Sequence, residues 1–145
     1  MTAYDKPSDS SLPAGTPGPS MSVLVVEDNA DAAESMMMLL ELLGHQVHIA
    51  NDGFAGVEAA RTQSPQIMLV DIGLPGIDGY EVARRVRRDP DLCHIILVAL
   101  TGYGCDDDKR EAAAAGFDRH MVKPVDPDAL QELITGFAGA SPKKS

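Results

Sequence analysis

Five short apolar runs, separated by longer amphipathic segments, constrain the fold of this chain more than any other feature. The runs lie at residues 22–26, 46–49, 66–70, 94–100 and 119–122. The segments between and after them have helical composition, at 29–43, 53–61, 78–87, 107–115 and 126–137. Near-continuous apolar strands that alternate with helices are typical of a parallel sheet covered on both faces. The sequence therefore predicts a doubly wound α/β domain with five strands and five helices.

The predicted domain occupies only part of the 145-residue chain. Residues 1–20 contain four prolines, four serines, two glycines and two threonines, a composition that predicts a disordered tail or linker. Residues 141–145 predict a second disordered tail, which leaves residues 21–140 as the folded unit. Because no output domain is expected after residue 140, we expect either a stand-alone domain or a piece of a larger protein.

The charge and cysteine content argue against several classes of function. The chain carries 22 acidic and 12 basic residues, a formal net charge of −10 at pH 7. Binding to phosphate backbones or anionic lipids requires a basic surface, so we expect no direct contact with nucleic acid and no membrane insertion. The two cysteines, Cys93 and Cys105, lack the spacing of a zinc site or a disulfide scaffold. With no apolar N-terminal segment, the sequence predicts a cytoplasmic protein.

Polar residues follow four of the five predicted strands, at the points where the strands end. Glu27 and Asp28 follow the first strand, Asp71 the third, Thr101 the fourth and Lys123 the fifth. Ligands of open α/β sheets bind beyond the carboxyl ends of the strands, so we expect these five side chains to converge at one edge. Each of them alone has a more ordinary explanation, since a strand-end aspartate usually caps a helix and a single lysine is usually solvated.

A coherent chemistry follows if these side chains meet. Neighbouring carboxylates repel each other, and a hard divalent cation such as Mg²⁺ relieves that repulsion. Asp28 and Asp71 would supply oxygen ligands, together with a backbone carbonyl and waters. An aspartate carboxylate can also act as a nucleophile and form an aspartyl phosphate. A hydroxyl and a lysine, here Thr101 and Lys123, would then bind the phosphoryl oxygens, which predicts phosphoryl transfer.

Four motifs resemble the receiver domain of two-component response regulators. They are VVEDN at 25–29, DIGLPGIDGYE at 71–81, LTG at 100–102 and VKPV at 122–125. Their order and spacing are similar to the family from residue 21 to about residue 137. The resemblance implies a CheY-like, flavodoxin-like sheet with strand order 2-1-3-4-5. It also implies a phosphorelay in which a histidine kinase or a histidine phosphotransfer protein is the donor and an unidentified downstream protein is the target.

The resemblance further implies a role for each site residue. Asp71 would accept the phosphoryl group, and Thr101 and Lys123 would assist the transfer. The implied ligands of Mg²⁺, the one expected cofactor, are Glu27, Asp28, Asp71 and the backbone carbonyl of Gly73. Thr101 and His120 would form the conformational switch, and the bond between Lys123 and Pro124 would be cis. Apart from self-catalysed phosphorylation and dephosphorylation, the resemblance implies no enzymatic activity.

Two positions depart from the usual pattern of the family. His120 stands three residues before Lys123, where the family often has Tyr or Phe, and Gly73 stands where longer side chains are common. An imidazole is smaller and more polar than a phenol ring, so we expect a weaker switch with the ring of His120 largely facing solvent. His120 and the segments 102–104 and 125–127 are similar to receivers of hybrid sensor kinases.

Two other functions stay open at this point. A phosphatase of the haloacid-dehalogenase type also uses a strand-end aspartate as its nucleophile, but it would have a second Asp where this chain has Gly73. A receiver-like binding module that works without phosphorylation would have no need for the acids together with Thr101 and Lys123.

The first helix carries more apolar residues than one face requires. A core-facing stripe would consist of Met36, Leu39, Leu40 and Leu43. Met37, Met38 and Leu42 are then in excess. Either they belong to a broad buried face, or they form an exposed, adaptable contact for a kinase helix.

Overall fold

The computed structural model of the protein describes residues 20–102 and 106–139. Apart from residue 20, both predicted tails lie outside these ranges. Cys105 and most of the segment 102–104 also lie outside the described residues. Within the described residues, no helix is long and apolar enough to cross a membrane.

Five strands alternate with five helices in the described chain. The strands are β1 (Ser22–Val26), β2 (Gln46–Ala50), β3 (Ile67–Asp71), β4 (Ile96–Thr101) and β5 (Arg119–Val122). The helices are α1 (Ala30–Leu42), α2 (Gly53–Gln63), α3 (Gly79–Arg88), α4 (Asp106–Ala115) and α5 (Pro127–Gly139). All neighbouring strands are parallel, in the order β2-β1-β3-β4-β5. The predicted doubly wound fold and its strand order are confirmed.

One difference from the sequence-based boundaries lies at the start of β4. The apolar run begins at residue 94, but the strand begins at Ile96, whose N–H donates to the Gln66 carbonyl at 3.0 Å. Ile95 belongs to a turn instead, because its N–H donates to Leu92 O at 3.0 Å. Ile95 is nevertheless buried in the core. Its apolar character therefore reflects burial, while hydrogen bonding to β3 decides where the strand starts.

Successive side chains of each strand point to opposite faces of the sheet, so the sheet divides the core into two clusters. One cluster packs against α2, α3 and α4 and contains the strand residues Leu24, Val26, Met68, Val70, Leu97 and Ala99. The other cluster packs against α1 and α5 and contains the strand residues Val23, Val25, Ile67, Leu69, Val98 and Leu100. Because both faces are covered, the central strands are almost continuously apolar.

Short polar side chains cap the helices that follow β1 and β3. The Asn29 side chain accepts a hydrogen bond from Ala32 N at 2.9 Å at the start of α1, and the Asp78 side chain accepts one from Glu81 N at 2.9 Å at the start of α3. Such a cap stabilises a helix by about 1 kcal/mol. Each of these helices runs back along the sheet after its strand, so the strand-end residues lie at the carboxyl edge.

The excess apolar residues of α1 divide between a packed side and an exposed side. Leu40 is buried, and Met37 packs half-buried against the core. Met38 is 64% exposed and Leu42 is 84% exposed. A broad buried face is therefore wrong for Met38 and Leu42, which lie in solvent on the side of the helix that faces away from the core.

Candidate functional site

Three carboxylates meet at the carboxyl edge of the sheet. Glu27 and Asp28 follow β1, and Asp71 is the last residue of β3. One oxygen from each of the three lies within 4.8 Å of the others. Glu27 and Asp71 are buried, and Asp28 is exposed. The structure thus brings together the three acids that the sequence analysis placed at one edge.

Backbone hydrogen bonds fix the two buried acids. The N–H of Glu27 donates to Ala50 O at 3.0 Å, which continues the β1–β2 pairing, and its Oε2 accepts from Asn29 N at 3.2 Å. Asp71 Oδ1 accepts from Gly73 N at 3.2 Å. The acids are therefore held by the strand ends and the first residues of the following loops.

Lys123 lies between the two buried carboxylates. Its Nζ is 2.8 Å from Glu27 Oε1 and 3.3 Å from Asp71 Oδ1. The backbone N–H of Lys123 donates to Thr101 O at 2.7 Å, which joins the ends of β4 and β5. The Thr101 hydroxyl is buried and donates to Met121 O at 3.5 Å. All five strand-end side chains of the sequence analysis thus lie at one edge of the sheet.

Burial and charge act on the ionisation of this cluster. Burial is the largest effect on the pKa of the Glu27 carboxyl and raises it. Repulsion by Asp71 adds to the rise, while the hydrogen bond from Lys123 opposes it. For Lys123, burial works against the charged form, but the hydrogen bond to Glu27 and the attraction of Asp71 outweigh it and raise the pKa of the ammonium. Lys123 therefore stays protonated at neutral pH.

The charge and donor atoms of the site fit a magnesium ion. Three carboxylates face one ammonium, so the cluster holds an excess of negative charge that a cation would balance. All the side-chain donors are carboxylate oxygens, the ligand type that Mg²⁺ prefers. The exposed position of Asp28 leaves one side of the cluster open to water, and Mg²⁺ usually keeps several waters.

Two further predicted positions lie on β5 and directly after it. The peptide bond between Lys123 and Pro124 is cis. His120 lies on β5 beside Ala99 of β4 and is half-buried, so its ring is less exposed than the sequence analysis expected. The reason is positional: β5 is an edge strand, and its middle residues are partly covered on both faces.

One feature of the site was missed from the sequence. A cavity of about 470 Å³ opens between α1 and the segment after β5. It is lined mostly by apolar side chains, among them Ala32, Met36, Leu39 and Val125, and it reaches Glu27 and Lys123. The spacing of Ala32, Met36 and Leu39 marks one helix face, but no local pattern indicates that this face borders a void.

The fold and the edge cluster together define a doubly wound α/β domain with an acidic site at the carboxyl edge of its sheet. A family model described as "Response regulator receiver domain" matches residues 23–135. The chain therefore belongs to the response regulator receiver domain family. A phosphatase of the haloacid-dehalogenase type finds no support beside this match, and Gly73 lacks the second carboxylate that such an enzyme needs.

Relatives and solved structures agree with this assignment. Protein PilH of Pseudomonas aeruginosa is 31% identical over 112 residues, which cover 77% of this chain and 93% of PilH. A putative response regulator from Chloroflexus aurantiacus has a TM-score of 0.79 at 27% identity, with 84% of this chain and all of that chain covered. The receiver domain of the Pseudomonas aeruginosa sensor histidine kinase PA1611 has a TM-score of 0.77 at 28% identity over 84% of this chain and 100% of its own. That structure has a magnesium ion coordinated in its active-site cleft.

Proposed function

We propose that Asp71 is the phosphoacceptor of this receiver domain. The observation that carries the proposal is the position of the Lys123 ammonium, within 3.3 Å of Asp71 and 2.8 Å of Glu27, at the edge where Thr101 also ends its strand. Lys123 is placed to balance negative charge that arrives on the Asp71 carboxylate. Thr101 would donate a hydrogen bond to a phosphoryl oxygen and release its weak bond to β5.

The transfer would be a direct displacement. A carboxylate oxygen of Asp71 attacks the phosphorus of a phosphohistidine, the phosphorus–nitrogen bond breaks, and the imidazole nitrogen leaves with the electron pair. The product is an aspartyl phosphate. Thr101 and His120 would form the switch that reports it, and the change would reach β5 through the Thr101 contacts with Met121 and Lys123.

Glu27, Asp28, Asp71 and the backbone carbonyl of Gly73 would hold the Mg²⁺ ion. When bound, the ion supplies positive charge that stabilises the phosphoryl oxygens. The buried Glu27 would also keep Lys123 in place through their 2.8 Å ion pair. Asp28, the exposed member, would complete the cluster on its solvent side.

The donor would be a histidine kinase or a histidine phosphotransfer protein, and the target a protein still to be identified. We propose that the donor docks on α1, because Met38 and Leu42 are exposed there and the cavity beside the site opens along the same helix. With a net charge of −10, the chain would work by protein contacts without touching nucleic acid. It would act in the cytoplasm as a phosphoacceptor, without enzymatic turnover of a separate substrate.

The experiment is phosphorylation with acetyl phosphate and Mg²⁺, followed by intact mass measurement. The native chain should gain one phosphate, which hydroxylamine removes, and Asp71→Asn should gain none while keeping its circular dichroism spectrum. Asp91→Asn is the matched control, since Asp91 is an exposed acid in the turn after α3, away from the carboxyl edge. Stoichiometric phosphate on Asp71→Asn would refute the assignment, and a native chain that gains none would be a phosphorylation-independent binding module.

A further inference from the structure

We propose that Phe54, an exposed residue at the start of α2, positions the loop that carries Gly73 beside the phosphoacceptor. The β3–α3 loop consists of residues 72–78. The inference rests on the proposed function, because that loop would supply the backbone ligand of Mg²⁺. Phe54 belongs neither to the proposed ligands of the ion nor to the residues proposed to bind the phosphoryl group, so it would be a positioning residue.

The position of Phe54 is unusual for a large apolar side chain. It is 56% exposed, so the core does not require it. A ring atom, Cε2, lies 3.7 Å from where a Cβ on Gly76 would stand, an ordinary van der Waals distance, so the ring lies beside the β3–α3 loop at Gly76. Gly76 has φ +76°, a backbone conformation that glycine adopts without strain.

A charged residue from α3 lies over the face of the ring. The Arg85 guanidinium carbon lies 5.3 Å from the centre of the Phe54 ring, within the range of a cation–π contact. Arg85 Nε also donates to Glu81 Oε2 at 2.9 Å, which fixes the guanidinium on α3. Phe54 thus lies next to both the loop at Gly76 and the Arg85 guanidinium of α3, although much of it is exposed.

The neighbouring residue brings the same turn of α2 against the loop. A Cβ on Gly53 would lie 2.7 Å from the backbone oxygen of Ile77, too close for any side chain. Gly53 therefore allows the first turn of α2 to touch the loop backbone at Ile77, and Phe54 extends this contact to Gly76. Both contacts fall on the second half of the β3–α3 loop.

The two ends of the loop meet beside the end of the phosphoacceptor strand. Gly79 N donates to Ile72 O at 3.1 Å, and a Cβ on Gly79 would lie 2.7 Å from Asp71 O. Leu74 is buried in the core, whereas Gly73 is exposed and its N–H donates to Asp71 Oδ1. In this inference, the support at Gly76 and Ile77 helps to set the direction of the Gly73 carbonyl, and Phe54 is part of that support.

The test compares Phe54→Ala with Leu42→Ala, which removes an even more exposed apolar side chain from α1, away from the loop. Amide hydrogen exchange is first measured without metal. Phe54→Ala should speed exchange at Gly73, Gly76 and Ile77, and Leu42→Ala should not. Unchanged exchange in Phe54→Ala would overturn the inference whether or not the chain binds metal.

Calorimetric titration with Mg²⁺ then connects the loop to the site. Phe54→Ala should weaken Mg²⁺ binding by about tenfold, the lower end of what support residues around a metal contribute. Phe54→Tyr, which keeps the ring, should restore the affinity. At saturating Mg²⁺, the phosphorylation of Phe54→Ala by acetyl phosphate should return to the native rate. Native Mg²⁺ affinity in Phe54→Ala would contradict the inference, whereas a native chain that binds no Mg²⁺ would count against the proposed function.

Discussion

The neighbouring sequence does not reveal whether a given histidine of this chain is buried or exposed, and His45 is an example. His45 is buried just after α1, and its Nδ1 accepts a hydrogen bond from Met21 N at 3.1 Å. The ring therefore carries its proton on Nε2, which is buried without a hydrogen-bond partner among the described residues. His48, three residues later, is exposed on β2. The difference arises from the parallel pairing of β1 with β2, which brings Met21 against His45.

Burial lowers the pKa of His45 below 6.5, so the folded chain should lose stability in mild acid. The unfolded chain takes up this proton at higher pH than the folded chain, and the unfolding free energy therefore falls as pH decreases below about 6.5. One such proton contributes a slope of at most about 1.4 kcal/mol per pH unit. Urea unfolding at several pH values between 5 and 8 measures this slope.

His45→Gln should remove this one-proton contribution from the slope. His48→Gln, on the exposed face of β2, is the control. Glutamine can still accept the Met21 hydrogen bond but cannot take up the proton. Equal slopes for the native chain and His45→Gln would show that another group causes the acid sensitivity.

Among the elements, α1 is the helix whose buried and exposed faces the sequence predicts least well. Its apolar residues extend beyond the core-facing side, and pattern alone could not decide between burial and exposure. The structure exposes Met38 and Leu42 and places a cavity along the adjoining side of the helix. The helix also carries Asp31, Glu34 and Glu41 and no basic residue. A partner with apolar side chains flanked by Lys or Arg would complement this surface.

Met38→Glu should slow phosphotransfer from the histidine kinase by about tenfold, since a buried contact residue of this kind contributes about 1–2 kcal/mol or more to docking. Transfer from acetyl phosphate, which needs no docking surface, should stay at the native rate. Ala114→Glu introduces the same charge on the exposed side of α4 and is the control. The docking site is elsewhere if the kinase phosphorylates Met38→Glu as fast as the native chain.

For the whole molecule, local sequence patterns are enough to predict the sheet and the helices that cover it. They are not enough to predict the strand order or every contact between the helices and the sheet. Alternating apolar runs predict a parallel sheet with helices on both faces, and parallel strands all end at one edge, so the acids, Thr101 and Lys123 could be placed together. The strand order came from the resemblance, because pairs such as Val23 with Ile67 join residues far apart in the chain. The cavity and the Phe54 contact could not be predicted, since both depend on how helices rest on the finished sheet.

Mg²⁺ binding should stabilise the whole fold, because the three carboxylates repel each other only when the folded chain brings them together. A ligand of the folded state adds about 2.7 kcal/mol when its concentration is 100 times its Kd. The thermal midpoint of the native chain should therefore rise in millimolar Mg²⁺, as measured by differential scanning calorimetry. Asp28→Asn should show almost no rise, yet without metal it should be at least as stable as the native chain, because one repulsive charge is gone. Asp91→Asn, which changes the net charge equally but lies outside the cluster, should keep the native rise. Equal rises for the native chain and Asp28→Asn would place the ion elsewhere. If Asp28→Asn and Asp91→Asn lost the rise equally, the effect of Mg²⁺ would depend on net charge and not on the cluster.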